Sequence, residues 1–179
     1  MAIRQLGIDS FHNLKGGLRL ALLLPVTRSH FSFSQPQLLS MLLLALSLDI
    51  AADWLNAAPP TEFNYYGISY LSSIYLANLA SLYSISLIHR QTHLFYQLLI
   101  LEYASYPIVF LVSLFILEPS VETIDLTFTA IIVILLLCWS LAILYRIINL
   151  LLNSKGWLII TSLIFYLTFN FSAYLFLPE

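Results

Sequence analysis

Charge is what this chain has least of. Only 9% of its 179 residues are Asp, Glu, Lys or Arg, against about 25% in an ordinary soluble domain. Seven basic and nine acidic side chains leave a net charge of −2, so no basic face is on offer to a nucleic acid. Cysteine is nearly absent too. Cys138 stands alone in an apolar run, which excludes an intramolecular disulfide and a thiolate metal cluster; it reads as a small core residue. Sequence signatures of catalysis are missing: there is no H-E-x-x-H zinc helix, no G-x-S-x-G elbow and no phosphate-binding G-x-x-x-x-G-K-[ST] loop. The histidines are His12, His30, His89 and His93. Of these, His89 and His93 have helical ligand spacing but no further donors near them in sequence. The expectation is therefore a protein that is not an enzyme and holds neither metal nor cofactor.

What is present in excess is apolar surface, at 60% of residues. A soluble fold of this size leaves a large share of its residues facing water and could not hide that much. A bilayer accepts it. A spanning helix needs about 20 mainly apolar residues, and five segments qualify: residues 36–57, 68–88, 94–117, 126–151 and 157–177. The fold class expected is all-α, a polytopic bundle of five transmembrane helices. The connections (58–62, 89–92, 118–120 and 153–156) are too short to hold a soluble domain.

Residues 1–35 form a separate element. Gly7, Phe11, Leu14, Leu18 and Leu22 recur at helical spacing, while Asp9, His12, Asn13 and Lys15 tend to the other face. This predicts an amphipathic helix in the membrane interface, in contact with lipid head groups, broken or bent at Gly16-Gly17. Arg4, Asp9, Lys15 and Arg19 interrupt the first twenty residues, which does not read as a cleaved signal peptide. Pro36 suits the first turn of the first span, with Ser34 ahead of it as a cap.

Basic residues set an orientation. With five spans, Arg4, Lys15, Arg19, Arg28, Arg90 and Lys155 fall on one side, and Arg146 lies in the fourth span close to it. Glu62, Glu118, Glu122, Asp125 and Glu179 fall on the other. The positive-inside rule then places the N-terminus in the cytoplasm and the C-terminus outside, the periplasm if the membrane is a bacterial inner membrane.

Charges within spans are expensive and so are candidates for function. Asp49 and Asp53 share one face of the first span; they suit a cation or proton, or a wetted position near the interface beside Trp54. Glu102 in the third span and Arg146 in the fourth reach similar depth in antiparallel helices, so an ion pair is expected, or a snorkelling arginine. Pro107 deprives the Tyr103 carbonyl of its helical donor. Ser69, Ser73, Ala77 and Ser81 repeat every four residues on the second span, a row that permits close helix packing in lipid, either as the centre of the bundle or against a partner. Asn78 and Ser84 lie nearby. Tyr65, Tyr66, Tyr70, Tyr75 and Tyr83 serve equally as interfacial anchors or as filler.

Three stretches carry a resemblance: Gly17-Leu18-Arg19-Leu20-Ala21-Leu22, Asp49-Ile50-Ala51-Ala52-Asp53-Trp54-Leu55 and Glu62-Phe63-Asn64-Tyr65-Tyr66-Gly67. With the layout, they make the chain resemble the Yip family of small membrane proteins in its short bacterial form. That resemblance implies a cytoplasmic N-terminal part, five spans and an outer C-terminus, and it brings no catalytic residues. The functional expectation is an accessory or scaffold subunit binding other membrane proteins, or its own copies, through helix contacts. The alternative is a cation- or proton-coupled transport component using Asp49, Asp53 and Glu102.

Overall fold

Long runs of Leu, Ile and Ala leave the backbone N–H and C=O groups as the chief polar groups, and helices satisfy them within the segment. A computed structural model describes residues 2–56, 65–123, 126–153 and 155–175, with side chains for 4–52, 72–116, 127–153 and 155–171. Among these there are helices and no strands: α1 (Ala2–Ala21), α2 (Gln35–Asn56), α3 (Tyr65–Ile88), α4 (Phe95–Thr123), α5 (Leu126–Leu152) and α6 (Gly156–Leu175). Single 3-10 turns occur at Arg28–His30 and Thr92–Leu94. Three stretches are long and apolar enough to cross a membrane: Gln35–Ala52, Thr92–Ile116 and Thr127–Leu152. Ser72–Ile88 and Gly156–Phe171 are apolar but shorter.

Two sequence expectations change. The first concerns the connection at Glu118-Pro119-Ser120: α4 instead runs through it to Thr123. A proline removes one helical donor, here the one to the Phe115 carbonyl, and an otherwise favourable helix continues past it. Pro107 is likewise inside continuous α4. The 58–62 connection, Glu62-Phe63-Asn64, Asp125 and Glu179 lie outside the described residues, as do the side chains of Asp53, Ser69, Glu118 and Glu122.

The second concerns α1. It is an unbroken helix through Gly16 and Gly17, and the glycines are its contact surface. A Cβ on Gly17 would stand 1.9 Å from the Ala104 carbonyl oxygen of α4, and one on Gly16 would meet Phe31 at 2.6 Å. Backbone lies on backbone, and only glycine permits it. Of the residues expected on the apolar face of α1, Phe11 and Leu18 are exposed, as is Leu22 just past its end, while Leu14 packs against the core. Its inward face carries Asn13, Gly16, Gly17, Leu20 and Ala21. Asn13 is fully buried: it donates to the Ser32 carbonyl and to Gln37 Oε1, and accepts from the Ser32 N–H at 2.7 Å. Gln37, also fully buried, donates to the Leu6 carbonyl and accepts from Ser10. This network ties α1 to the start of α2. At its other end α1 accepts the Trp139 indole N–H on the Ala21 carbonyl, at 2.7 Å.

Helix α4 is the hub, packed by α1, α2, α3 and α5, while α3 packs most extensively on α6. The core lies toward the end where α3 passes into α4 and α5 ends: Leu82, Ile85, Leu98, Leu101, Ile147 and Ile148 are buried there. Beyond it the first half of α5 exposes Phe128, Ile131, Ile134 and Leu135, side chains suited to lipid. The turn after α3 closes as a Schellman motif, with Gln91 N–H on Ser86 O and Arg90 N–H on Leu87 O; Arg90 takes the left-handed position at φ 54°.

Candidate functional site: a carboxylate–tyrosine cluster between four helices

At the outer margin of that core, four helices bring polar side chains together. Asp49 comes from α2 and is buried, at 8% exposure. Tyr75 of α3 donates its hydroxyl to Asp49 Oδ2 at 2.7 Å, and Tyr106 of α4 donates to Oδ1. Both carboxylate oxygens are thus engaged by phenols from different helices. Such bonds to an anion are stronger than neutral ones, more so where water is scarce.

Glu102 lies one helical turn before Tyr106 on α4, and that spacing puts both on one face. Tyr166 of α6 donates to Glu102 Oε1 at 3.0 Å. The side chain of Asn78, one turn from Tyr75 on α3, is its other hydrogen-bond partner. Tyr103 links the two halves. Its ring stacks on that of Tyr75, with centroids 6.0 Å apart, and its hydroxyl is within electrostatic reach of both Glu102 and Asp49. That hydroxyl and the Asn78 Oδ1 atom are buried without a hydrogen-bond partner.

Arg146 does not join this cluster. The expected pair with Glu102 is replaced by Tyr166 and Asn78. Depth counted along antiparallel helices does not settle a pair, because the rotation of each helix decides which side chains meet; Glu102 takes its partners from α3 and α6 rather than α5. Asp53 shares α2, but its side chain is outside the described residues. In the small-residue row Ser73 and Ala77 are half-buried and Ser81 is fully buried, while the Ser69 side chain is outside the described residues. Cys138 is exposed on α5, not a core residue as its sequence setting suggested; its first-half stretch of α5 faces outward. His89 is buried at the end of α3, bonded through Nε2 to Ser162 of α6 at 2.8 Å. Since Ser162 donates to the Leu158 carbonyl, it accepts from His89. Burial holds the His89 pKa below its usual value. His93 is exposed, and among the described residues no three His, Cys, Asp or Glu side chains are grouped to hold a metal.

Sequence reasoning found Asp49 and Glu102 but not Tyr106, Tyr166 or Tyr103 as their companions. The signal was there in part: Tyr75 and Asn78 are three apart, and Glu102 and Tyr106 four apart. Chemically, the cluster offers two carboxyl groups and a shell of hydroxyls, with no Lys, Arg or His contacting either carboxyl among the described residues. An anion held away from water without a basic partner is costly. Its carboxyl and hydroxyl oxygens are ligand atoms of the kind that a proton or a hard cation takes.

Among the described residues the chain is all-helical, with helices apolar and long enough to cross a membrane. Comparisons with known protein families, curated proteins and solved structures find no match.

Proposed function

We propose that this chain is a five-span integral membrane protein, N-terminus cytoplasmic and C-terminus outside, that binds a proton or small cation between its helices as a component of coupled transport. Asp49 on α2 and Glu102 on α4 carry the reading, because they share a tyrosine-lined cluster and contact no basic side chain. The shorter apolar stretches in α3 and α6 support the count of five, since α3 and α6 pack antiparallel beside the three longer helices. The basic residues support the orientation, with a bacterial inner membrane as the setting that matches the Yip-like layout. The test is flux in liposomes carrying the purified chain. Asp49→Asn and Glu102→Gln are expected to abolish proton- or cation-dependent flux, and unchanged flux in both would remove the reading.

A second reading keeps the chain non-enzymatic and makes it an accessory subunit for other membrane proteins or for its own copies. The outward apolar side chains of α5 (Phe128, Ile131, Ile134 and Leu135) favour it, since partners and lipid alike cover such surface. Ser81 argues for a smaller role of the α3 row, because it is already enclosed within the chain. Extraction in gentle detergent followed by native mass measurement separates the two. A stoichiometric larger complex supports the subunit reading, and a lone monomer counts against it.

A further inference from the structure

Helix α1 and the segment after it are tied to the other helices at levels that rise and then fall. Gln35 and Thr92 stand at one level, since the bonded Asp49 and Tyr106 lie equally far from them along α2 and α4. Near the start of α1, the Leu6 carbonyl accepts from Gln37, and Ser10 bonds Gln37 and Ser40, in the first turns of the apolar stretch Gln35–Ala52. Further along, Gly17 lies against the carbonyl of Ala104, the midpoint of Thr92–Ile116. At the end of α1, the Ala21 carbonyl takes the indole N–H of Trp139, midway along Thr127–Leu152. The chain then turns back. Gly16 packs on Phe31 and the His30 carbonyl, and Asn13 bonds both backbone groups of Ser32, so the two limbs run side by side. Arg28 donates to the carbonyls of Leu150 and Leu151, at the end of α5. Leu6 to Ala21 is about 22 Å of helix, while the climb from interface to mid-bilayer is about 15 Å. Helix α1 therefore makes that climb obliquely.

The turn at the deep end suits a setting without water. Leu22, Leu23 and Leu24 are 57%, 44% and 44% exposed in succession, and Pro25 beside them is exposed too. Facing water, this would be a contiguous apolar patch. Irregular backbone at membrane depth must find its partners within the protein, and here it does. The N–H groups of Leu22, Leu23 and Leu24 bond the carbonyls of Leu18, Leu20 and Arg19. Pro25 has no N–H, and its carbonyl takes the Arg19 guanidinium at 3.2 and 3.0 Å. Leu23 occupies the left-handed position of this turn, at φ 54°, where glycine is usual. A leucine there is strained, and its side chain compensates only in apolar surroundings. Lys15 is exposed on the same helix, with a stem long enough to carry its charge back toward the head groups.

Resting on the membrane-spanning reading but not on ion binding, we propose that residues 2–34 form a re-entrant hairpin in the leaflet that holds the N-terminus. Its tip, Leu22-Leu23-Leu24-Pro25, is seated among lipid acyl chains near mid-bilayer. The tip continues a lipid-facing surface at the same level, because Leu135 and Leu137, close to Trp139 on α5, are exposed as well. On this account α1 does not lie in the plane of the interface, as its spacing of apolar residues suggested. It wedges into the bilayer, with glycines on α4 and leucines on lipid.

Nitroxide labels on single cysteines, in the full chain carrying Cys138→Ser and reconstituted in liposomes, test this. The positions are Arg4→Cys, Leu23→Cys, Ser29→Cys and, as a mid-span reference, Leu137→Cys; all four residues are exposed. The label at 23 is expected to collide with a water-soluble nickel chelate at least tenfold less than the label at 4, and to match the label at 137. The label at 29 should be open to the chelate again. A label at 23 as open as the one at 4 overturns the hairpin. If the label at 137 is open as well, the membrane reading falls with it; if 137 is shielded, only this inference fails. A membrane-impermeant maleimide should reach cysteines 4 and 29 from the same face of sealed vesicles. Reaction from opposite faces would make α1 a full span and also overturn the proposal. The unsubstituted chain gives a check that no misfolded variant can spoil. Phosphatidylcholine with a diazirine at the end of its acyl chain should crosslink to residues 22–25, and crosslinks to the spans that leave this stretch untouched would contradict the seating.

Discussion

Replacing Gly17 with alanine adds one methyl group at the crossing of α1 and α4. An exposed helical site gains about 1 kcal/mol from glycine to alanine by helix propensity. At Gly17 the new Cβ would fall 1.9 Å from the Ala104 carbonyl oxygen, 2.3 Å from its carbon and 2.8 Å from the Ser105 nitrogen. All three are backbone atoms of the hub helix and cannot swing aside. Reaching even 3.0 Å requires α1 to retreat by at least about 1.1 Å. That movement draws Leu20 and Ala21 out of the core and stretches the 2.7 Å Trp139–Ala21 bond. Overpacking of this kind costs about 1–3 kcal/mol, and the lost hydrogen bond about 1 kcal/mol more. The net expectation for Gly17→Ala is a loss of about 1–3 kcal/mol after the propensity gain is subtracted. Gly7→Ala is the internal control, since nothing lies within 4 Å of its Cβ position, and it should stabilise. Unfolding in mixed micelles followed by circular dichroism compares the two. Equal stability of both variants would refute the backbone contact between α1 and α4.

Asn13→Leu strands Gln37 and the Ser32 groups that Asn13 satisfies, and should cost about 2–4 kcal/mol in the same assay. Trp139→Phe loses the bond to Ala21 and the packing of the second ring of the indole, so a loss of about 1–3 kcal/mol is expected. His89 is held below its ordinary pKa of 6.5 by burial. The unfolded chain therefore takes up that proton first, and stability should fall as pH drops from about 6.5 through the folded value. His89→Gln should flatten this limb of the pH–stability curve, and an unaltered curve would assign it to another group. Ser81→Leu at a fully buried position of α3 should overpack the bundle and lower the midpoint, while Thr161→Leu at a half-buried position of α6 should cost less.

Helical class was readable from composition alone, because the apolar runs are long and only helices satisfy their backbone without water. The turns near Arg90 and Lys155 were readable from clustered polar residues. Gly16-Gly17 misled, since glycine breaks isolated helices but in packed ones lets backbones touch; sequence does not say which environment applies. Pro119 misled for the converse reason, as neighbouring turns carry the helix through it. The candidate carboxylates Asp49 and Glu102 stood out by their cost in lipid. Their partners did not, because depth follows from residue count while facing depends on how each helix is rotated in the bundle. Arg146 is the clear instance: Glu102 takes its partners from α3 and α6 instead.

The most direct test of the account is a count of protons and cations taken up by the purified chain in nanodiscs. Potentiometric titration of the unsubstituted protein is compared with the Asp49→Asn/Glu102→Gln double variant, with and without sodium. The account expects the unsubstituted chain to bind an additional proton or cation that the double variant lacks. Superimposable curves from two equally folded proteins would show that the cluster between α2, α3, α4 and α6 binds neither, and would contradict it.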